Sequence, residues 1–532
     1  MYSSYTTLQR AQLAKQEYLD TQEVFLGVYA PGRNAALKAS LQDQLHRKFL
    51  LTDSLRPEAL GSAVGVLLVR EDLFLMPTAL SCFADALRSG ADYVTSDAVF
   101  GYSGVTTLYH SQGFAACPGC ALVSRELLRR CQVEARDPEN PVELLTLAAK
   151  LSRSHVCLPL ALAHYERDIC AEDVWSVKGK RVFIMSHLLD MTGAPIVLVS
   201  AVPVLRSMGF EVVVLGPADD GSLPLFLDAG AAVVTRSDCV MNSSLWGLAT
   251  SADFVLANTV VEAAAVSTLN GSFVPVLWWL HDAFAGYPHI AHQIPRKLGE
   301  NIRLYSVGSH AANAMHSVRP EFNIRPLIYG LPDYAAEKFS HYDLSYAGGR
   351  PLFATVGSFE NRKGQDIFCK AIRLLPPETM KKASFLFVGK AAEAEMMDAV
   401  RSLTADCPDN VFYVKRLTRD EIKSLMAQCT CLVCASRDDP MPTFVTEGLI
   451  FGKPAIVSEH TGTAGLITEG VDGFVYEDDD PEKLAERLAW AIEHPEKLAA
   501  MRPACRELYE SHYSKQAFSD SLQQAVKELT GE

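Results

Sequence analysis

The chain has 532 residues, which is too long for a single hydrophobic core and indicates three or four folded units. Its 63 acidic and 49 basic residues give a net charge of −14. A field of this sign repels phosphate backbones and acidic lipid surfaces, which argues against nucleic acid as a partner. An anionic ligand must therefore be held by local positive charge.

The first residues, MYSSYTTLQRAQLAKQEYLD, lack a basic segment followed by an apolar one. No apolar run in the sequence reaches the roughly 20 residues that span a bilayer. We therefore expect a cytoplasmic protein without a transmembrane segment. The 13 cysteines are an odd number spread over a long chain, which favours reduced thiols over a disulfide framework.

Residues 1–175 alternate between strand and helix patterns. EVFLGVYA predicts a strand, NAALKASLQDQ a helix, and GVLLVREDLFLMPTALSCFADALRSGADYVTSD a strand, loop, helix and strand. Cys117 and Cys120 in CPGC are spaced for a zinc or redox site, because Pro-Gly makes a tight turn, with His110 and Cys131 as the only further ligands. Core positions for these cysteines are the alternative.

From about residue 178 the pattern becomes strand, short glycine loop, helix and strand, repeated. RVFIMS predicts a buried strand and IVLVSAVPVLRSMG a helix, with Pro195 in its first turn, a kink at Pro203 and Gly209 past its end. Short apolar strands follow in FEVVVLGP, AAVVT, DFVLAN and VPVLWWL. This succession is typical of a parallel sheet covered by helices on both faces.

A second cycle of the same kind follows the linker Ser340–Arg350. It runs through PLFATVGSF, SFLFVGK, NVFYVK, CTCLVCAS, KPAIVS and GFVYE. Cys431 and Cys434 lie in one of these strands, where residues three apart point to opposite faces, so we predict core positions and no metal site. Two doubly wound domains in succession predict a ligand site in the crevice at the carboxyl ends of their strands.

The loop GSFENRKGQD follows the first strand of the second sheet. Gly357 and Gly364 allow close backbone approach, and Arg362 and Lys363 precede a helix N-terminus, a combination that suits a diphosphate. Ordinary solvated charges are the alternative for this Arg-Lys pair.

The segment SRDDPMPTFVTEG follows a later strand of the same sheet. It places Asp439 in the loop and Glu447 on the next helix, with Thr443 as a helix cap. Carboxylates at this position accept hydrogen bonds from paired hydroxyls such as those of ribose and hexose, although capping of the turn and helix is the alternative. Beyond it, the glycine-rich turn around Gly462 has backbone amides that suit a phosphate.

The block from about 350 to 500 resembles the donor-binding domain of family 4 glycosyltransferases, which are retaining enzymes of the GT-B fold. Asp439 and Glu447 match the two acids of the family's Glu-x7-Glu motif, with aspartate in the first place. VGSFENRKGQD resembles the family's phosphate loop, with Gly357, Lys363 and Gly364 matched. Ser358 stands where the family has an arginine, and Arg362 is the candidate to compensate.

The preceding sheet carries the other half of this resemblance. SHLLDMTGAP, with Gly193, resembles the family's N-terminal glycine loop, and WWLHD places His281 where the family presents a histidine near the reacting carbon. YSVGSHAANAMHS, with Ser309 and His310, resembles a later loop that faces the cleft.

The resemblance implies an α/β protein of the GT-B fold, with two Rossmann-like domains facing a cleft. Residues 176–342 would be the acceptor domain and residues 343–532 the donor domain. It implies metal-independent, retaining transfer of a sugar from a nucleotide-diphosphate sugar to a glycan, lipid or protein, without a cofactor. The residues with an implied catalytic role are His281, Asp439 and Lys363. Those with an implied donor-binding role are Gly193, Gly357, Ser358, Arg362, Lys363, Gly364, Thr443, Glu447 and Gly462.

Residues 1–175 resemble a shortened GT-A domain of family 2 glycosyltransferases. That family's loop usually reads Asp-x-Asp-Asp-x-Leu-x-Pro, and here Arg70, Glu71, Asp72 and Leu73 occupy the first four places. A cation in place of the first aspartate opposes a divalent ion. We therefore expect a non-catalytic domain that positions a partner or acceptor.

Two other functions remain open at the level of sequence. A non-catalytic sensor of nucleotide sugars is compatible with Ser358, Asp439 and the altered N-terminal loop. A dinucleotide oxidoreductase requires Gly-x-Gly-x-x-Gly at the start of a sheet followed by an acid about 20 residues later, and neither sheet has it. The sequence does not specify the donor base, the sugar or the acceptor, and a homo-oligomer is compatible with it.

Overall fold

A computed structural model describes residues 24–31, 35–70, 73–102, 105–112, 120–176, 179–239, 245–477 and 479–531. The chain divides into two compact units. The first runs to Pro195 and includes Leu205–Leu256, and the second comprises Ile196–Val204 and Ala257–Glu532. Among the described residues, no helix is both long and apolar enough to cross a membrane.

The first unit contains a mixed sheet and short helices. Its strands are β1 (Leu26–Tyr29), β2 (Phe49–Thr52), β3 (Gly65–Val69), β4 (Leu73–Leu75), β5 (Tyr93–Tyr102), β6 (Val105–His110), β7 (Cys120–Ser124), β8 (His155–Tyr165), β9 (Lys180–Ser186), β10 (Phe210–Gly216), β11 (Ala232–Thr235) and β12 (Phe254–Asn258), the last of which reaches the unit boundary. Its helices are α1 (Ala35–Gln42), α2 (Ala79–Arg88), α3 (Arg125–Glu134), α4 (Pro141–Leu151), α5 (Ala171–Val174), α6 (Gly193–Ser207), α7 (Leu223–Asp228) and α8 (Trp246–Ala249), of which α6 is shared with the second unit.

One continuous sheet runs through the first unit. Its strand order is β9-β10-β11-β6-β5-β7-β3-β1-β2, with β8 pairing β4 and β5. Strands β9, β10 and β11 are parallel, and β6 joins them by antiparallel pairing with β11, in which Thr235 lies opposite Leu108. Strands from before and after residue 175 therefore share one sheet. The three-domain division at residues 175 and 342 stays a prediction.

Apolar sequence runs explain the parallel strands of this unit. The central residues of β9 and β10 are fully buried, as expected for strands covered on both faces. Helix α6 continues through Pro203 to Ser207, and Gly209 follows it with φ +88°, a left-handed conformation that favours glycine. The strand and helix patterns predicted here from the sequence are present.

The second unit contains the elements that build the candidate site. Its strands are β13 (Val276–Leu280), β14 (Ile302–Ser306), β15 (Ile324–Pro326), β16 (Leu352–Val356), β17 (Ser384–Val388), β18 (Val411–Val414), β19 (Cys431–Cys434), β20 (Ala455–Ser458) and β21 (Gly473–Tyr476). Its helices are α9 (Ala263–Leu269), α10 (Tyr287–Ile290), α11 (Ser309–His316), α12 (Gln365–Leu374), α13 (Pro377–Met380), α14 (Ala394–Leu403), α15 (Arg419–Gln428), α16 (Thr443–Ile450), α17 (Pro481–Glu493), α18 (Pro495–Ala500), α19 (Arg502–Leu508) and α20 (Lys515–Thr530).

Both groups of strands in the second unit are parallel. Strands β13, β14 and β15 pair in sequence, and the other six form a sheet in the order β18-β17-β16-β19-β20-β21. The C-terminal helix α20 packs against β13, where Phe518 stacks on Trp279 with ring centroids 5.6 Å apart. Helix α20 therefore packs against the group of strands formed by β13, β14 and β15.

The structure agrees with the core positions expected for several cysteines. Cys431 and Cys434 are buried within β19. Cys120 and Cys131 are also buried, and burial raises the pKa of the Cys131 thiol to about 11, which disfavours the thiolate that a metal requires. Cys117 lies outside the described residues, and those residues contain no group of three side chains suited to a metal ion.

The predicted GT-A-like loop is only partly visible. Glu71 and Asp72 lie outside the described residues. The guanidinium of Arg70 lies 3.3 Å from the buried carboxylate of Asp173, which Arg167 also contacts through two hydrogen bonds of 2.7 and 2.8 Å. A cation therefore does occupy this position, and it is used in a buried ion pair.

Candidate active site

The loops after four parallel strands of the second unit converge at one end of its six-stranded sheet. Strands β16, β17, β19 and β20 are neighbours and parallel, so their carboxyl ends lie together. The loops that follow carry the glycines and charged residues singled out in the sequence. This end of the sheet is where doubly wound folds bind their ligands.

Lys363 and Asp439 form the central contact of this region. The Lys363 ammonium lies 2.7 Å from Asp439 Oδ2, with the lysine side chain 20% exposed and the aspartate 6% exposed. The hydroxyl of Ser436 lies 3.5 Å from the same carboxylate oxygen. Two residues 76 positions apart, matched to two separate motifs, thus meet as a largely buried ion pair.

Two predicted glycines, Gly364 and Gly462, lie where backbone segments come too close for a side chain, and Gly389, which the sequence analysis did not name, is a third. At Gly364, with φ +63°, a Cβ atom would overlap the carbonyl oxygen of Ala435. A Cβ at Gly462 would overlap the carbonyl oxygen of Pro440, and the carbonyl of Gly357 closely approaches Gly389. These glycines let the loops after β16, β17, β19 and β20 lie against one another.

Arg362 and Ser358 are held within the phosphate loop by Glu360. The Arg362 guanidinium donates to Glu360 Oε1 at 2.9 Å and to the carbonyl oxygen of Asp438 at 3.0 Å. The Ser358 hydroxyl donates to the same Glu360 oxygen at 2.9 Å. Arg362 therefore links two loops in this structure, with its side chain still 34% exposed.

A second arginine fixes the same pair of loops. Arg437 donates to both carboxylate oxygens of Asp366 at 2.8 Å and to the carbonyl oxygen of Asn361. Burial alone would raise the pKa of Asp366, but hydrogen bonds from Arg437 and Lys370 lower it to about 2. The loop that carries Lys363 is thus braced against the loop that carries Asp439.

Glu447 lies in α16 and is paired with Arg419 at the start of α15. Its Oε1 accepts a hydrogen bond of 2.7 Å from the Arg419 guanidinium, which also lies 3.5 Å from the Tyr334 hydroxyl. Glu447 is 6% exposed, and burial raises the pKa of its carboxyl although Arg419 opposes that shift. The carboxylate is therefore buried and held by one cation whose side chain is 66% exposed.

The capping role predicted for Thr443 is wrong. Pro442 occupies the N-cap position with an extended backbone, and the exposed Thr443 is the first helical residue of α16. The proline ring fixes φ at −69°, so the chain enters the helix one residue earlier than the cap assignment requires. No side-chain cap is formed at this helix.

His281 and Asp282 follow β13, as the sequence indicates. The ring centroids of His281 and Trp279 are 4.4 Å apart, so the imidazole is packed beside a buried indole. Asp282 accepts a hydrogen bond of 2.5 Å from the Val260 amide, and burial raises the pKa of its carboxyl to about 6. Thr259, which directly precedes Val260, has φ +75°, a conformation that a β-branched residue rarely adopts.

The loops after β13, β14 and β19 meet at Asp438. Asp438 Oδ1 lies 2.7 Å from His310 Nε2, and its carboxylate accepts hydrogen bonds of 3.2 Å from the amides of Phe284 and Ala285. Gly308 packs on Gly462, where a Cβ at Gly308 would lie 3.3 Å from the Gly462 Cα. His310 thus contacts the loop after β19, and the resemblance of its segment to a loop that faces the cleft stays a prediction.

Gly193 is the one predicted donor-binding residue in the first unit. It is the first residue of α6, and an added Cβ atom would meet nothing within 4 Å. Its role in donor binding stays a prediction.

Sequence reasoning missed Asp438 and Arg419, which contact the site residues directly. Asp438 directly precedes Asp439, and Arg419 opens the helix that follows β18, so both lie at the same end of the sheet as the matched motifs. Position after a strand of the same sheet is the signal that would have marked them. Their partners are distant in sequence and could not be read from spacing.

This arrangement is suited to an anionic ligand that also carries hydroxyl groups. Lys363 supplies positive charge, glycine loops offer backbone amides, and the carboxylates of Asp439 and Glu447 are acceptors for hydroxyls. A nucleotide joined to a sugar has all of these groups. The fold is therefore that of the GT-B class, and the site carries groups that complement such a ligand.

Comparison with known families leads to the same class. Residues 178–313 match the model described as Glycosyl-transferase family 4, and residues 338–508 match Glycosyl transferases group 1. The two matched regions together span more than half of the 532 residues. The chain is placed by these matches among the GT-B glycosyltransferases.

Curated relatives match part of the chain. A glycogen synthase from Pseudomonas syringae pv. syringae is 26% identical over 201 residues, which are 37% of this chain and 39% of that protein. Spore coat protein SA of Bacillus subtilis is 24% identical over 184 residues, which are 33% of this chain and 48% of that protein. The chain thus spans less than half the length of these relatives.

Solved structures show the fold. The Anabaena protein HepE, crystallised with UDP, matches with a TM-score of 0.54 and 17% identity, covering 66% of this chain and 100% of that chain. Sucrose-phosphate synthase from Thermosynechococcus elongatus matches with a TM-score of 0.53 and 14% identity, covering 66% of this chain and 99% of that chain. The GT-B fold expected from the sequence is therefore confirmed.

Proposed function

We propose that this protein transfers a sugar from a nucleotide-diphosphate sugar to an acceptor with retention of the anomeric configuration. The observation that supports it most is the ion pair of 2.7 Å between Lys363 and Asp439, surrounded by loops whose glycines permit close backbone approach. The retaining outcome and the acceptor, a glycan, lipid or protein, come from the family resemblance. A nucleotide-sugar donor and the reduced thiols of the described cysteines suit a cytoplasmic location.

In this proposal the leaving diphosphate is stabilised by protein charge without a metal or cofactor. Lys363 places an ammonium group where negative charge develops in the transition state, and Arg362 adds a second cation from the same loop. Asp439 orients the sugar hydroxyls and Glu447 accepts hydrogen bonds from the ribose. His281 lies near the reacting carbon by its match to the family histidine.

The other donor-binding residues act through the backbone. Gly357, Gly364 and Gly462 allow the loop amides to approach the phosphates, and Ser358 takes the place of the family arginine with its hydroxyl held by Glu360. Thr443 lies at the uncapped start of α16, where its amide is available to the ligand. Gly193 contributes from the N-terminal glycine loop.

The test begins with a donor screen. HepE has been crystallised with UDP-glucose, so UDP-sugars are the first donors to examine, followed by GDP- and ADP-sugars. Thermal stabilisation by one of them identifies the donor before any acceptor is known. Release of the nucleoside diphosphate then measures hydrolysis or transfer.

Substitution of the central lysine tests the mechanism. Lys363→Ala should lower kcat by about 100-fold or more, because loss of a charge that stabilises the transition state costs about 3 kcal/mol. Lys382→Ala changes an exposed lysine that precedes β17, at the opposite end of the sheet, and is the matched control. Equal turnover in both variants would contradict the assigned role.

A second candidate function is a non-catalytic sensor of nucleotide sugars. It is favoured by Asp439 in place of the family's glutamate and by Arg419, which already occupies the Glu447 carboxylate. A sensor binds the donor without turnover, and Glu447→Ala then changes affinity alone. Binding with no release of nucleoside diphosphate by the wild-type protein would favour this function.

We also propose that residues 1–175 form a degenerate GT-A-like region that positions an acceptor or partner. The proposal is supported by Arg70, whose pairing with the buried Asp173 places positive charge where a metal-binding acid is expected. Mn²⁺ should therefore leave the melting temperature of the full chain unchanged. A rise in melting temperature that Arg70→Ala alters would contradict it.

A further inference from the structure

The carboxylate of Asp438 joins three segments of the second unit. It accepts a hydrogen bond from the His310 ring in α11, at 2.7 Å, and two from the backbone amides of Phe284 and Ala285, each at 3.2 Å. Asp438 itself lies in the loop between β19 and α16. One side chain thus bridges the loops that follow β13, β14 and β19.

The same loop is bound on its other side to the phosphate loop. The carbonyl oxygen of Asp438 accepts a hydrogen bond of 3.0 Å from Arg362, and the Arg437 amide donates to the carbonyl oxygen of Arg362 at 2.8 Å. The next residue, Asp439, holds Lys363. Asp438 therefore stands between the loop that begins with His281 and the loop that carries the donor-side charges.

The surroundings of Asp438 keep its carboxylate ionised. Burial alone would raise its pKa, but hydrogen bonds from His310 and from the Ala285 and Phe284 amides lower it below the usual value. His310 is 6% exposed, and the ring of Phe284 packs against it with centroids 5.0 Å apart. Charge-assisted hydrogen bonds in such a half-buried place are stronger and more directional than exposed ones.

We propose that Asp438 is a positioning residue that holds the His281 loop against the Lys363–Asp439 pair, and this inference rests on the proposed function. If the loops separate, three hydrogen bonds to one carboxylate are lost together. The donor-side contacts of Lys363, Asp439 and Glu447 lie outside this junction, so the donor still binds when it is broken. The loss instead affects the alignment of the His281 loop with the Lys363–Asp439 pair, and so lowers the rate of the chemical step.

Kinetics separates this role from a general loss of stability. Asp438→Ala should lower kcat by about 10- to 100-fold, because misplacement of about 1 Å has effects of this size, while the dissociation constant of the donor changes by less than about threefold. Asp438→Asn keeps one acceptor oxygen and should recover part of kcat. Asp398→Ala, an exposed acid in α14, is the matched control.

The partner residue provides the coupling test. His310→Ala should lower kcat by less than Asp438→Ala, because the two backbone contacts remain, and His310→Gln, which keeps an N–H donor, should lie closer to wild type. The double variant Asp438→Ala/His310→Ala should be no worse than Asp438→Ala alone. Additive losses, or an unchanged kcat in Asp438→Ala, would overturn the proposal.

Hydrogen exchange tests this clamp, the three hydrogen bonds that the Asp438 carboxylate accepts from His310, Phe284 and Ala285, without relying on turnover. The amides of Phe284 and Ala285 should exchange faster in Asp438→Ala than in wild type, with no change in Asp398→Ala. If wild-type protein binds no nucleotide sugar and shows no turnover, the proposed function fails, while this exchange result still decides whether the clamp exists. Unchanged protection of these amides would exclude it.

Discussion

Glu447 combines deep burial with an ion pair to Arg419, and the ionisation of its carboxyl determines whether it can accept a hydrogen bond from a hydroxyl. Burial raises the pKa of the carboxyl, and Arg419 works against that shift. A sugar hydroxyl donates its hydrogen bond to the ionised form. Under the proposed function we therefore expect donor affinity to depend on Arg419 even where the arginine does not touch the ligand.

Removal of Arg419 should extend the protonated range of Glu447. In Arg419→Ala the pKa of Glu447 rises further, so donor affinity should begin to fall at a higher pH than in wild type as the solution is acidified. Donor titrations from neutral to acidic pH measure the midpoint of this fall. Arg416→Ala removes an exposed arginine nearby and should leave the midpoint in place. A midpoint that moves equally in both variants would contradict the specific pairing.

Glu262 is a second buried carboxyl, in the turn after β12. It is 2% exposed, and burial raises its pKa to about 8 from 4.5. The folded protein thus holds a proton that the unfolded chain releases, so this group's contribution to stability is complete below about pH 4.5 and is lost as the pH rises through about 8.

Glu262→Gln should remove the loss of stability that ionisation of Glu262 causes at high pH. At a pH above 8 the variant should be more stable than wild type, by roughly 2–4 kcal/mol in the free energy of unfolding, and the two should differ little at acidic pH. Denaturant unfolding at both pH values measures the difference. Glu300→Gln, at an exposed position, is the control, and equal pH dependence in Glu262→Gln and wild type would contradict the prediction.

At the level of single residues, the sequence motifs identified some members of the site but not the contacts between them. Lys363 and Asp439 were matched separately to two motifs, and the structure joins them at 2.7 Å. The partners of the Asp438 carboxylate are 128 to 154 positions away in the sequence, and Arg419 is 28 positions from Glu447. Such pairs form only when parallel strands bring distant loops to the same end of a sheet.

Among the elements, the turn between β16 and α12 depends most closely on one residue. Gly364 has φ +63° and lies directly against the Ala435 carbonyl. Gly349, in the linker before β16, has φ +67° and open space around it. The two glycines share a backbone conformation and differ in what a side chain would meet.

Gly364→Ala should therefore cost much more than Gly349→Ala. A left-handed backbone alone costs an alanine roughly 1–2 kcal/mol, and at Gly364 the overlap also forces the Lys363 loop away from β19. We expect a lower melting temperature than in Gly349→Ala and a loss of donor binding in Gly364→Ala alone. Thermal unfolding and donor titration of both variants check this, and equal effects would show that conformation alone matters.

The element boundaries show where local sequence is sufficient. The six strands of the second sheet coincide with apolar runs, because strands covered on both faces have no polar positions to disguise them. The start of α16 was displaced by one residue, since Pro442 takes the cap position that a threonine usually fills. Pro203 lies inside α6 without ending it, so packing overrides its local preference.

For the whole molecule, the net charge of −14 makes local cations decisive. The proposed reaction relies on Lys363 and Arg362 to offset the diphosphate, so turnover should persist in excess EDTA. Rates measured with EDTA, and then with added Mg²⁺ or Mn²⁺, check this expectation. A loss in EDTA that a divalent cation restores would show that the diphosphate needs a metal partner.

The large-scale organisation was the hardest to predict from sequence. Two cycles of strand and helix indicated two doubly wound α/β domains, and the family resemblance added the GT-B fold, which the solved structures confirm. The pairing of β6 with β11 left no such mark, because the register between two short strands 122 or more positions apart depends on the packing of everything around them.

The pairing of β6 with β11 has a consequence for truncated forms of the protein. A fragment that begins near residue 176 lacks β6, so one edge of β11 would expose unpaired backbone N–H and C=O groups. An exposed edge of this kind can pair with a strand of a second copy, so we expect such a fragment to aggregate. The segment that resembles a non-catalytic GT-A domain therefore also supplies the strand that covers the edge of β11.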